Sequence, residues 1–166
     1  SSIRQFEFLA DQVWHHHVYG KNVIYESGHH GNAILSKYPF VDWENINVSM
    51  LHFASRSLLH GTLQIPGIDQ KSHVPDHEPL IIAGDFNDWR GRAEYYLHHD
   101  LGVREVFKNM HGTYARTFPA WFPVLTMDRI YFRGLDVIDC THLQGQPWRR
   151  LSDHTPLLAE FKIKKK

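Results

Sequence analysis

Three short segments set acids, an amide and an imidazole where a strand would end. In Ile81-Ile82-Ala83-Gly84-Asp85-Phe86-Asn87-Asp88-Trp89 an apolar run delivers a carboxylate, Asp85, and a carboxamide, Asn87, two residues apart. Residues i and i+2 of a strand face the same way, and open sheets put their ligand crevices where strands end, so this spacing suits an active site. It equally suits an Asx-turn in which Asp85 or Asn87 caps its own backbone, and the motif alone leaves both readings open. In Leu151-Ser152-Asp153-His154-Thr155-Pro156-Leu157 an acid and a base again stand at the mouth of an apolar strand. Asp with His makes an acid/base unit or a metal-plus-base unit, although such a pair is as often part of a turn. In Thr126-Met127-Asp128-Arg129-Ile130-Tyr131-Phe132 a charged pair interrupts an apolar stretch, and an aspartate buried there needs a partner.

The elements that must hold these groups are short. Ile3, Phe6, Phe8, Leu9 and Val13 fall at mostly helical spacing and predict a helix over 3–13. β-Branched and aromatic residues predict strands over 18–25 and 32–36, and alternation predicts another over 58–65, stopped by Pro66-Gly67. Residues 68–79 are polar and proline-bearing and read as the end of a helix followed by a loop. The continuous apolar run 80–83, closed by Gly84, predicts a strand buried on both faces. A helix over 92–99 and strands over 128–132 and 155–163 complete the pattern, ahead of a lysine tail at 164–166. Of fourteen histidines seven cluster, at 15–17, 29–30 and 98–99, but none of the clusters has the Cys/His spacing of a structural zinc site.

Two further segments join the three. Gly31-Asn32-Ala33-Ile34-Leu35-Ser36-Lys37-Tyr38-Pro39 and Arg116-Thr117-Phe118-Pro119, taken in order with the Asp85, Asp128 and His154 segments, resemble the endonuclease/exonuclease/phosphatase superfamily, the group that looks like DNase I. The resemblance covers about residues 25–161. It implies an α/β (α+β) fold, a four-layer sandwich of two packed mixed β-sheets flanked by helices. It also implies roles: Asp85 orients or deprotonates water, and Asn87 donates its amide to a phosphoryl oxygen. Asp128 holds the ring of His154, which acts as a base or as a charged donor to the phosphate. Asp153 lies against a divalent ion, Mg²⁺ or Mn²⁺, and Arg56, His30 and Asn32 contact phosphate. The family's pattern also has a Leu-Gln-Glu segment with the principal metal ligand, and a Thr-His-Leu strand before Gly-Asp-Phe-Asn, which this sequence lacks. The expectation is therefore a single domain over 1–166 with segments absent before Ser1 and near 67/68.

Composition bounds the rest. The 166 residues carry 18 Lys+Arg against 18 Asp+Glu, which argues against a dedicated basic nucleic-acid wrapper, and 42% hydrophobic content supports a real core. Apolar runs are far shorter than the roughly 18 residues a membrane span needs, so no stable membrane insertion is expected. A lone cysteine, Cys140, cannot form an internal disulfide, and a reducing cytoplasm is the expected compartment. The expected activity is metal-dependent hydrolysis of a phosphodiester, nuclease-like, with nucleic acid among the candidate substrates and no protein partner indicated. A phosphomonoesterase, a lipid phosphodiesterase and a non-catalytic phosphate-binding protein stay open as alternatives.

Overall fold

The computed structural model describes residues 14–25, 28–47, 57–66, 79–88 and 90–163, arranged in two compact units, Ser1–Lys71 and Ser72–Lys166. The expected helix over 3–13 and most of the polar stretch 68–79 lie outside the described residues, as do Arg56 and the lysine tail.

The first unit is built from two antiparallel pairs. Strand β1 (His16–Tyr25) pairs with β2 (Gly28–Ser36), from His16 opposite Ser36 to Tyr25 opposite Gly28. Strand β3 (Phe40–Asn47) pairs with β4 (Ser57–Leu63), from Phe40 opposite Leu63 to Asn47 opposite Ser57. The expected strand over 58–65 is thus shorter at its end, because the Gln64 amide turns to the Pro39 carbonyl, 2.9 Å away. Sequence patterning missed β3, whose mixture of Asp, Glu and Asn with aromatics keeps no period of two. The pairs are sewn together by side-chain amides. Asn45 donates to the Lys21 carbonyl at 3.0 Å, and Asn32 donates to the Ser57 carbonyl at 3.0 Å. Gly20 is required at the first contact, since a Cβ there would stand 2.3 Å from Asn45 Oδ1.

The second unit carries the larger core. Strand β7 (Asp128–Arg133) runs between β5 (Leu80–Asp85) and β6 (Arg104–Glu105), antiparallel to both. Strand β8 (Leu135–His142) pairs with β9 (Leu157–Ile163). The helices α1 (Arg92–Leu101), α2 (Val106–His111) and α3 (Trp148–Leu151) connect them. Val106, Phe107, Ala115, Ile130, Phe132, Leu135 and Cys140 form the core, with Val137, Leu157, Ala159 and Phe161 packed against it. A Val, Leu, Ile or Phe side chain contributes about 1.5–3 kcal/mol on full burial.

Two expectations are corrected here. The strand over 80–83 is not buried on both faces: burial alternates along it, and Ile81 is 49% exposed. Successive side chains of a strand point to opposite faces, so Leu80 and Ile82 are half-buried on one face while Ile81 and Ala83 are exposed on the other. The final strand begins at Leu157 rather than 155. The Thr155 amide is spent on the Thr117 carbonyl at 2.9 Å, and Pro156 has no amide to add to a ladder.

Glu105 caps α2, its side chain accepting the Lys108 amide at 2.7 Å. Burial pushes its carboxyl above the ordinary value of 4.5, against the pull of that amide and of Arg129. A raised folded value means that the native state holds the proton more tightly. That contribution to stability is full below 4.5 and is lost as pH rises through the folded value. Glu105→Gln keeps the cap oxygen without the buried charge, so its urea midpoint is expected to gain on the wild type between pH 4 and pH 7. A gap that stays constant over that range, or moves the other way, would refute the assignment.

Candidate active site

Strands β5 and β7 bring the first two acids together, because their register sets Asp85 directly opposite Asp128. The chain then returns 26 residues later to lay His154 Nδ1 2.7 Å from Asp128 Oδ2. A carboxylate only accepts, so Nδ1 carries the proton and Nε2 is left for another partner. One ligand atom each of Asp85, Asp128 and His154 lies within 4.8 Å of the others, and this is the one such His/Cys/Asp/Glu group among the described residues. A cleft of about 300 Å³ opens there, lined by Gly84, Asp128, Ser152, His154 and Pro156 among others.

The electrostatics favour a charged imidazole. Burial alone would lower the His154 value, but the hydrogen bond it donates to Asp128 and the negative charges of Asp128, Asp85 and Asp153 outweigh it and raise it above 6.5. The Phe118 ring packs on the imidazole with centroids 5.0 Å apart. Asp153 stands beside the cluster rather than in it: its carbonyl accepts the Ala120 amide at 2.7 Å and its carboxylate lies 3.5 Å from Ser152 Oγ.

At the end of β5 the Asx-turn and the site are the same residues. Asp85 Oδ1 accepts the Asn87 amide at 2.8 Å, and Asn87 Nδ2 lies 3.4 Å from Asp85 Oδ2. Asn87 takes a left-handed φ of 51°, which asparagine tolerates better than most residues. The turn holds the carboxylate in place and both side chains stay exposed, so capping and chemistry do not compete. The donor set fits a hard cation in its two carboxylates, Asp85 and Asp128, since oxygen donors are what Mg²⁺ prefers, and the His154 imidazole completes the group.

The other expected phosphate contacts belong to the first unit, Ser1–Lys71. Arg56 lies outside the described residues, His30 sits on β2 with its side chain undescribed, and the Asn32 amide is committed to Ser57. The histidines at 15–17 are exposed.

Arg129 is the residue that sequence reasoning missed. It is 2% exposed, and its guanidinium donates to the carbonyls of Thr126 at 2.6 Å, Asp128 at 3.0 Å and Asp88 at 3.1 Å, and to Thr126 Oγ1 at 3.1 Å. It lies over the Tyr114 ring, 4.0 Å from the centroid. Its signal was a cation set directly before the apolar run Ile130-Tyr131-Phe132. Asp88 in turn accepts the Ala93 amide at 2.6 Å, fastening the start of α1 to the turn that follows Asp85. Beside the site, Trp121 and Phe122 are 70% and 64% exposed with their rings 6.1 Å apart.

A model of the Endonuclease/Exonuclease/phosphatase family matches residues 4–154. The chain is 39% identical over 184 residues to "Uncharacterized protein YbhP" of Escherichia coli (strain K12), covering 95% of this chain and 73% of that one. It is 34% identical to a UPF0294 protein of Yersinia pseudotuberculosis, covering 78% of this chain and 48% of that one. The crystal structure of an endonuclease/exonuclease/phosphatase from Beutenbergia cavernae superposes with a TM-score of 0.73 at 17% identity, over 95% of this chain and 56% of that one. That likeness shows the expected α/β, DNase I-like fold. The chain spans about half the length of that structure and of the UPF0294 protein.

Proposed function

Because the chain belongs to the endonuclease/exonuclease/phosphatase family, which supports a phosphoester hydrolase, we propose that it hydrolyses a phosphodiester, nuclease-like, with the help of Mg²⁺ or Mn²⁺. One observation carries this reading: the Asp128–His154 pair, 2.7 Å apart, grouped with Asp85 in an open cleft. Phosphoryl transfer asks mostly for positioning and charge neutralisation, which is what such a group can do. His154, held by Asp128 and biased toward its charged form, presents Nε2–H to a phosphoryl oxygen as negative charge develops. Asp85 orients the attacking water, and Asn87 gives its amide to a second oxygen once substrate displaces its contact with Asp85. Asp85 and Asp128 are the acids grouped to hold the ion, with Asp153 beside them, and the ion would supply charge neutralisation at the phosphate. The exposed Trp121–Phe122 pair, tied to the site through the Ala120 bond to Asp153, supports a substrate with a flat group to stack, as in a nucleic acid.

The test is hydrolysis of bis-p-nitrophenyl phosphate by the full-length protein. Turnover that requires Mg²⁺ or Mn²⁺ and is abolished by EDTA is the expected result. Activity indifferent to EDTA would overturn the metal assignment. Turnover of p-nitrophenyl phosphate alone would replace a diesterase with a monoesterase.

A further inference from the structure

Behind the dyad lies a directed chain of hydrogen bonds that none of the motifs predicts. Thr117 is fully buried, and its hydroxyl accepts the amides of Met127 at 3.3 Å and Asp128 at 3.2 Å. Its carbonyl accepts from Thr155, the residue after His154, through the amide at 2.9 Å and the hydroxyl at 3.3 Å. One residue therefore bonds to the backbone on both sides of the Asp128–His154 contact. The hydroxyl of Thr155, itself 2% exposed, is hydrogen-bonded in turn to His142 Nε2. Gln144 Nε2 donates to His142 Nδ1 at 2.8 Å. An amide nitrogen only donates, so Nδ1 is the bare nitrogen, Nε2 carries the proton, and the hydroxyl of Thr155 is left to donate to Thr117. Burial lowers the His142 value and so favours this neutral ring.

We propose that His142 is a positioning residue that, through Thr155 and Thr117, holds His154 in register with Asp128. The proposal rests on the phosphoester-hydrolase reading for its kinetic consequence but not for its geometric one. Thr117 and Thr155, which stand between His142 and the dyad, are closed off from water. Without the His142 donor, the Thr155 hydroxyl can turn away from Thr117, and the turn that carries His154 loses one of its two bonds to the Thr117 carbonyl. Misplacement of a reacting group by about 1 Å costs up to roughly 10²-fold in rate, so a looser tie is expected to cost about 10-fold.

The experiment compares His142→Leu, which removes the donor, with His142→Gln, whose amide can reach the same hydroxyl. His142→Leu is expected to lower kcat on bis-p-nitrophenyl phosphate about 10-fold with KM unchanged, and His142→Gln to restore most of it. In parallel, the downfield NMR signal of the His154 Nδ1 proton, identified by its loss in His154→Ala, should shift or broaden in His142→Leu and not in His142→Gln. Thr117→Ser beside Thr117→Val gives the same contrast nearer the dyad, with circular dichroism confirming the fold. An unchanged kcat and unchanged signal in folded His142→Leu would overturn the proposal, as would equal impairment by Leu and Gln. A proton signal that responds as expected in a protein without turnover would sustain the positioning role and refute the hydrolase reading.

Discussion

Replacing His154 by alanine is expected to remove at least about 10²-fold of phosphodiester turnover while leaving the fold intact, the usual scale for losing an acid/base or charge-stabilising group. The side chain is 26% exposed, so its truncation leaves an open notch rather than a sealed cavity, and the core of Val106, Phe107 and Phe132 is untouched. What disappears is the Nε2 donor, together with the positive charge that Asp128, Asp85 and Asp153 stabilise. The loss should therefore appear in kcat more than in KM, because the phosphate gains negative charge only on the way to the transition state. Steady-state kinetics beside near-ultraviolet circular dichroism decides it. A folded His154→Ala protein with turnover within a few-fold of the wild type would remove His154 from the mechanism.

The second large effect is expected at Arg129, which never touches substrate. Arg129→Met preserves much of the volume and the apolar stem but leaves the carbonyls of Thr126, Asp128 and Asp88 without their donor. Exchanging a buried charge for an apolar group is nearly neutral where both partners can be replaced, and here the partners are backbone. With each stranded acceptor costing on the order of 1–3 kcal/mol and part of that recovered by water, a net loss of about 3 kcal/mol is expected. For a domain of this size that lowers Tm by roughly 6–12 °C. Arg129→Lys should recover little, since one ammonium cannot span the fork that reaches both Asp88 and Thr126. Thermal unfolding of the two variants is the measurement. A Tm within about 2 °C of the wild type in Arg129→Met would show that the guanidinium is not a structural tie. Activity should fall as well, because the Asp88 carbonyl is how Arg129 restrains the turn after Asp85.

How far the site could be read from the residues alone depends on the range of the interactions. Asp85 with Asn87 was legible because both belong to one turn, and Asp153 with His154 because they are neighbours. Strands β5 and β7 and helix α1 were legible from local pattern, whereas β3, β8 and α2 were not. Strand β8, over Leu-Asp-Val-Ile-Asp-Cys-Thr-His, alternates imperfectly because a register shift between Val137 and Asp139 breaks its period of two. The double burial expected of β5 failed for a related reason. An apolar run reports how much a strand can bury, but which faces are covered depends on neighbours that pair from elsewhere in the chain.

By itself, then, the sequence determined the chemical inventory: which acids, amides and imidazole stand at strand ends, in the order that marks the family, because such motifs are local and their residue types cannot be exchanged without losing the chemistry. The contact of Asp128 with His154 across 26 residues was implied by the family resemblance, and only the tertiary structure decided its geometry, that Arg129 crosses 41 to reach Asp88, and that Thr117 joins both sides of the dyad. Those contacts arise from strand register and from the need of each buried polar group for a partner, which are set once the chain has closed on itself.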